Sequence, residues 1–411
     1  MFTANTGVKL YDGSNNIRLQ TNSEGVEVTG EVAASQDYPN LKPTLDLNFA
    51  GTAKLDSRVT FTREGIGSYV GRDGYVKFAP TNEPRFDHDP VTRECKGLLI
   101  EEQRQNKIGY SNGWNDGITT DETKSPDGEF NAIKVTGSES GTTYNEGTST
   151  TGVWSVFLKA GSTNYVQLQG GGVGMNNSTI GPYTNNSVIN LSDGTFTVNQ
   201  QNFTAEQYRD GWWRVSVVYT TNSSYQGTTW SIRCLDSSSP SVDNVDNAEH
   251  CYVWGEVYEV GSFITSYIRT ESNVRSIRGA DQCYIDGQDF LDFYNQTEGT
   301  MISSHSILSD EIPSNHNLYT YQIAPTGNTA YAPLRILDRN SSIANSIAVA
   351  SVYNNGYSFL TLDTGNPVTV ADRKYVIAAS IKKDDYDAVF NGGDLKNDSS
   401  GDLYTADHIS I

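Results

Sequence analysis

Five residues on two short segments carry side chains suited to a hydroxyl-rich ligand. In Tyr165-Val166-Gln167-Leu168-Gln169, extended backbone turns Val166 and Leu168 one way and Tyr165, Gln167 and Gln169 the other. In Trp212-Trp213-Arg214-Val215-Ser216-Val217-Val218-Tyr219, residues Trp213, Val215, Val217 and Tyr219 form the apolar side and Trp212, Arg214 and Ser216 the opposite one. Aromatic rings stack on the C–H faces of sugars while amides and guanidinium groups hydrogen-bond the hydroxyls, so Tyr165, Gln167, Gln169, Trp212 and Arg214 are the candidate glycan-binding residues. The competing reading is that Trp212 packs under a loop or at a subunit interface. Trp254 is compatible with either face of its strand.

The remaining reactive side chains point away from catalysis. Glu101 and Glu102 are adjacent, so on a strand they face opposite ways, whereas a glycosidase needs two carboxyls about 5–9 Å apart facing one sugar. Asp87-His88-Asp89 has metal-ligand chemistry, but the plainer expectation is a solvated turn tied to Arg85 or Arg104. His250, His305, His316 and His408 show no ligand spacing. There is no Gly-x-Ser-x-Gly elbow, and Gly170-Gly171-Gly172-Val173-Gly174 lacks the lysine and following helix of a phosphate loop. No catalytic residue, metal or cofactor is expected.

The elements that must position these residues read as strands. Val8-Lys9-Leu10-Tyr11 and Ile17-Arg18-Leu19-Gln20 flank Asp12-Gly13-Ser14-Asn15-Asn16, a hairpin signature, and Val26 to Val32 alternates like a third strand. Three such strands bury too little to stand alone, so they need a neighbour in the chain or in another chain. A turn-rich stretch from Ser35 to Pro43 follows. Between about 107 and 270 the strands lengthen; Val153 to Lys159 has bulk on both faces and is expected at the centre of a sheet. Half-polar strands separated by turns describe a jelly-roll β-sandwich. Residues 271–411 continue with Gly299–Ser304, Leu334–Leu337, Tyr357–Leu362 and Arg373–Ser380. No helix longer than about two turns and no solenoid repeat is visible.

Composition sets the outer bounds. The 411 residues carry 29 basic and 49 acidic side chains, a formal charge of −20, and contain 24 Tyr, 14 Phe and 6 Trp. That many aromatics exclude a disordered chain, and the acidity without a basic block argues against a nucleic-acid partner. No run approaches 18 apolar residues, so no membrane insertion through a helix is expected, and the first residues show no signal-peptide pattern. Cys95, Cys234, Cys251 and Cys283 form no CxxC pair and read as buried small hydrophobes of a chain made in a reducing cytoplasm.

The run Leu45-Asp46-Leu47-Asn48-Phe49-Ala50, Leu55 to Arg63, Pro84-Arg85-Phe86-Asp87-His88-Asp89-Pro90-Val91-Thr92, Gly97 to Arg104 and Asn106 resembles a module of bacteriophage virion appendages: tail fibres, spikes and head fibres. Val156-Phe157-Leu158-Lys159-Ala160-Gly161, Asp210 to Ser216 and Val253 to Ile268 resemble the carbohydrate-binding-module-like jelly roll that follows it, with Ile268-Arg269-Thr270 standing where those proteins have Ile-Pro-Thr. From Arg278-Gly279-Ala280-Asp281 onward the chain is similar to their concanavalin/laminin-G-like lobe, and residues 8–30 to a shaft-type β-motif. That lobe normally continues past the point matching Ile411, so the resemblance implies a last lobe that is incomplete or completed by another chain. The expected organisation is all-β: an N-terminal shaft or anchor motif (1–35), a linking module (36–106), a jelly roll (107–270) and a concanavalin-like lobe (271–411). The resemblance implies a fibre or spike on the virion surface, most readily a tail fibre, made in the host cytoplasm and forming a homotrimer. Its implied partners are other tail or capsid proteins and a host cell-surface polysaccharide.

Overall fold

A computed structural model of the chain describes residues 9–11, 17–22, 25–28, 43–112, 123–141, 150–171, 186–198, 203–220, 229–241, 243–271, 274–306, 317–326, 334–339, 346–353, 356–362, 374–399, 403 and 405–411. It is nearly all β, built from antiparallel sheets, with two short helices among the described residues. The chain divides into two compact units, Met1–Asp46 and Leu47–Ile411.

In the first unit β1 (Lys9–Tyr11), β2 (Ile17–Asn22) and β3 (Gly25–Val28) form a three-stranded antiparallel sheet, with Leu10 opposite Leu19 and Leu19 opposite Val28. The expected turn at 12–16 and the stretch at 35–42 lie outside the described residues.

The second unit opens with α1 (Phe49–Thr52), capped by the Asn48 side chain on Gly51 N. β4 (Thr60–Thr62) follows, then two hairpins, β5 (Gly67–Val70) with β6 (Val76–Ala79) and β7 (Phe86–His88) with β8 (Cys95–Leu98), and the short β9 (Arg104–Gln105). The sandwich strands are β10 (Ile133–Thr136), β11 (Ser138–Ser140), β12 (Thr151–Ala160), β13 (Tyr165–Gly171), β14 (Asn186–Asn190), β15 (Thr195–Val198), β16 (Phe203–Gln207), β17 (Trp212–Thr220), β18 (Thr229–Cys234) and β19 (His250–Val260). They form two five-stranded sheets, ordered β10-β19-β12-β17-β16 and β11-β18-β13-β14-β15. β12 does take the central place that its two apolar faces predict, between β19 and β17.

The sandwich core lies between these sheets. Trp154, Val156, Leu158, Val215, Val217 and Tyr258 come from the first, and Val166, Leu168, Ile189, Trp230 and Ile232 from the second. Trp154 stacks on Trp230 with ring centroids 4.7 Å apart. A second cluster covers the outer side of the first sheet: Phe157, Trp212, Trp254 and Val257 pack against Val70, Val76 and Phe78 of the β5–β6 hairpin and against Tyr267. That sheet is therefore buried on both faces, which places Trp254 on the outer one.

The remaining strands are β20 (Ile277–Arg278), β21 (Gln282–Asp286), β22 (Glu298–Ser306), β23 (Asn317–Ala324), β24 (Leu334–Arg339), β25 (Ser346–Tyr353), β26 (Gly356–Leu362), β27 (Lys374–Lys382), β28 (Asp385–Phe390), β29 (Lys396–Asp398) and β30 (His408–Ser410), with α2 (Gly287–Leu291) after β21. They build a seven-stranded sheet, β26-β25-β24-β23-β30-β21-β4, and a four-stranded one, β22-β27-β28-β29. Two pairings tie the early module into this lobe: β4 extends its larger sheet alongside β21, and β9 pairs with β20. β30 lies inside the larger sheet, between β21 and β23.

Candidate functional site

The five candidate glycan residues divide between the two sheets of the sandwich. Tyr165, Gln167 and Gln169 sit on β13 of the second sheet and point away from the core that Val166 and Leu168 enter. Gln167 is fully buried and exchanges two hydrogen bonds with Asp243: its Nε2 donates to Asp243 Oδ1 at 3.2 Å, and its Oε1 accepts from Asp243 N at 2.8 Å. Arg233, opposite Gln167 on β18, donates to the same carboxylate at 2.7 Å. Tyr165 and Gln169 are half-buried, next to Asn190 and Ser231 across the ladder.

Trp212 and Arg214 belong to the outer face of the other sheet. The Trp212 ring is fully buried in the cluster beneath the β5–β6 hairpin, and its Nε1 donates to Lys124 O at 2.8 Å. Arg214 donates to Thr265 O at 2.8 Å and Ser155 Oγ at 3.3 Å, with its guanidinium 5.3 Å from the centre of the Phe157 ring. The alternation on β17 is as the sequence indicates. The two segments, however, point outward from opposite sheets, and a cover laid over β17 takes Trp212 and Arg214 from solvent.

Among the described residues, the most densely connected polar site involves the segment 84–106. Pro84 precedes β7, and the Arg85 side chain is fully buried. Its Nη1 lies 2.7 Å from Glu101 Oε2 and donates to Ser68 O and Ser266 Oγ, while its Nη2 lies 2.5 Å from Asp281 Oδ2. Arg278 reaches Glu101 Oε2 at 3.1 Å and Arg63 reaches Asp281 Oδ1 at 3.3 Å. Further donors reach carbonyls: Arg63 donates to Ala79, Pro80 and Glu83, and Arg278 to Glu102, while Arg85 Nε and Arg278 Nε are buried without a hydrogen-bond partner among the described residues. Burial opposes ionisation of Glu101, but Arg278, Arg85 and the hydrogen bonds from Ser266 N and Oγ outweigh it and hold its pKa below the usual carboxylate value. Glu259, hydrogen-bonded by Thr265 N and Oγ1, lies on the other side: burial dominates and its pKa is raised.

Asn106 closes the segment. Its Nδ2 donates to Glu256 O at 3.2 Å and Ile268 O at 2.9 Å, and its Oδ1 accepts from Ile108 N at 3.0 Å and Tyr258 N at 3.1 Å. One buried amide thus joins the module to β19 and to the irregular segment after it. Arg104 caps the arrangement, pairing with Glu102 and lying over the Phe263 ring with its guanidinium 4.9 Å from the ring centre.

The adjacent acids face opposite ways, with Glu101 buried in the ion network and Glu102 exposed. Asp87-His88-Asp89 differs from the solvated turn expected of it. Asp87 accepts from Val70 N at 2.7 Å, the buried His88 donates from Nδ1 to Val70 O at 3.1 Å, and only Asp89 serves a turn, accepting from Val91 N and Thr92 N. The tie is therefore to the β5 backbone instead of to an arginine. β7 runs beside β5, and its ladder with β8 slips between Asp87 and His88, so these two consecutive side chains both reach the Val70 backbone. Withdrawal from solvent is the main cause that raises the Asp87 pKa to about 6. Among the described residues no three His, Cys, Asp or Glu side chains are grouped to hold a metal ion. His316 and Gly172 to Gly174 lie outside the described residues.

Sequence reasoning singled out the 84–106 run but not the role of Arg85 and Glu101 as one ion cluster with Arg63, Arg278 and Asp281. The one available signal was Arg278-Gly279-Ala280-Asp281 at the head of the last lobe, since two charged residues beside such a boundary require partners. The chain matches no protein-family model, and no curated protein matches it.

Proposed function

We propose that the protein is a structural component of a bacteriophage particle, displayed as a fibre or spike, most readily on the tail, that contributes to attachment to host-surface glycans. It would act without catalysis, through homotrimeric presentation that converts weak single-site sugar contacts into durable adsorption. The observation that carries this reading is the use made of the appendage-like run 84–106. Arg85, Glu101 and Asn106 are all committed to joining the early module to the β-sandwich and to Arg278 and Asp281 at the start of the last lobe. A device that holds lobes rigidly together suits a displayed strut. No helix of the described residues is long and apolar enough to cross a membrane, which is compatible with a particle-surface location.

Light scattering at several concentrations tests the assembly: a stable species near three times 45.0 kDa is expected, and a strict monomer overturns the trimer. A glycan array tests attachment. Tyr165→Ala combined with Gln169→Ala is the informative variant, because these half-buried side chains can be removed without opening a core. Trp212→Ala would instead disrupt packing. Saturable binding lost in the double variant supports attachment through the β13 face.

The burial of Trp212 and Arg214 favours a second reading, a purely structural head-fibre or tail-adaptor protein whose polar face meets other subunits. Absence of glycan binding together with tight association to a capsid or tail protein would select it. Release of reducing ends from host polysaccharide would make the protein a depolymerase, and none is expected.

A further inference from the structure

Cys234 ends β18 and Cys251 is the second residue of β19, so the two thiols belong to different sheets of one sandwich. The chain crosses between those sheets beside them. β10 pairs with β19 and β11 with β18, and only Gly137, at φ 67°, separates β10 from β11. Gly137 O accepts from Cys234 N at 2.6 Å, and Val135, the ladder partner of Cys251, has its carbonyl 3.5 Å from Cys234 Sγ. Stacked sheets ordinarily lie about 10 Å apart, too far for direct thiol contact between backbones so placed. At this corner the layers converge. The two Sγ atoms are 3.6 Å apart, and both side chains are fully buried.

We propose that Cys234 and Cys251 are a latent inter-sheet cross-link, two free thiols in a reducing medium and one intrachain disulfide after exposure to a low-molecular-weight disulfide such as oxidised glutathione. The exchange balances in two steps. One cysteine thiolate attacks a glutathione sulfur, forming a mixed disulfide and expelling glutathione thiolate. The second cysteine thiolate then attacks the protein-bound sulfur and expels the other glutathione thiolate. The two protons lost by the cysteines go to the two leaving groups. A disulfide spans about 2.05 Å, so closure requires a movement on the order of 1.5 Å, within the range of side-chain rotation.

Accessibility sets the rate. The hydrogen bond that the two thiols share and burial keep Cys251 protonated, so exchange must wait for an opening of the turn-rich connection between β18 and β19. Closure is therefore slow in the folded protein and fast during refolding. Cys95, half-buried on β8, and Cys283, buried on β21, serve as internal controls. The inference does not depend on the attachment reading, and its failure would leave that reading untouched.

The test incubates the full chain with oxidised glutathione at about pH 8, with and without a cycle of unfolding and refolding, followed by intact mass and peptide mapping under non-reducing conditions. The expected result is loss of the mass of two hydrogen atoms, one cross-linked pair of peptides containing Cys234 and Cys251, and a higher melting temperature. Cys95→Ala should close the same link, while Cys251→Ala should form no internal link. Persistence of both thiols through refolding with oxidised glutathione overturns the proposal, as does a cross-link formed through Cys95 or Cys283.

Discussion

Glu101 and Glu102 differ by one position in the chain and belong to different energetic worlds. Glu101 is enclosed with Arg85 and Arg278, whereas Glu102 is exposed. Removing one member of a buried ion cluster leaves the others charged without compensation, a loss of about 3–5 kcal/mol. Glu101→Gln should therefore lower the urea midpoint steeply, and Glu102→Gln should change stability by less than about 0.5 kcal/mol. Asp87 adds a pH dependence of the opposite sign to that of Glu101. Its pKa rises from 3.8 to about 6 on folding, so its favourable contribution is complete below pH 3.8 and is lost as pH rises through 6. Asp87→Asn keeps an oxygen to accept from Val70 N and removes the ionisation. The variant should be about 3 kcal/mol more stable than the parent at pH 8 and nearly equal to it at pH 4, measured as the difference between paired denaturation curves. Glu101, with its lowered pKa, loses its contribution as pH falls in both proteins, so it cancels in that difference.

Among the elements, β19 shows how a strand can serve two layers. Val253 faces the sandwich core and Trp254 the outer cluster, and the ladder with β12 then slips between Ser155 and Phe157. Gly255, at φ 65°, takes up the extra residue, which returns Glu256 to the core side where its Oε1 accepts from Trp154 Nε1 at 2.8 Å. A Cβ at Gly255 would lie 3.1 Å from Phe157 and 3.2 Å from Tyr267, and the backbone would be left-handed as well. Gly211 has the same backbone sign, φ 79°, with nothing within 4 Å of a Cβ. Gly255→Ala should therefore cost about 2–3 kcal/mol and Gly211→Ala about 1 kcal/mol, read from chemical denaturation. Alternation of side chains made the two faces of β13 and β17 legible in the sequence, and the bulk of Val153 to Lys159 revealed its central place. The burial of Trp212 was not legible from its own strand, because the hairpin that covers it, β5–β6, is encoded more than a hundred residues earlier. The separation of Tyr165 from Trp212 had the same origin: alternation says which residues share a face of one strand, not which sheet that strand joins.

For the molecule as a whole, that distant cover means that the boundaries of composition are not boundaries of folding. The segment 107–270 supplies Phe157, Trp212 and Trp254 to the outer cluster, while Val70, Val76 and Phe78 come from the stretch before it. The ion network is divided similarly, with Arg63, Arg85 and Glu101 before the segment and Arg278 and Asp281 after it. β4, from the early module, also completes an edge of the seven-stranded sheet. A fragment 107–270 thus loses the apolar cover of one sheet and both flanks of the charge cluster at once. It exposes three large aromatics side by side, an apolar patch of the kind that drives association. The expected outcome is that fragment 107–270 binds a hydrophobic dye and aggregates, while fragment 47–411 binds little dye and unfolds in a transition shared by tryptophan fluorescence and far-ultraviolet circular dichroism. A well-folded monomeric 107–270 fragment with a sharp transition of its own would show that the outer cluster and the charge network merely join finished domains. Coincident loss of both signals in 47–411, with no such autonomy in the fragment, would establish that the 84–106 segment is part of the folding unit it clamps, with the outer cluster and the charge network inside one cooperative core.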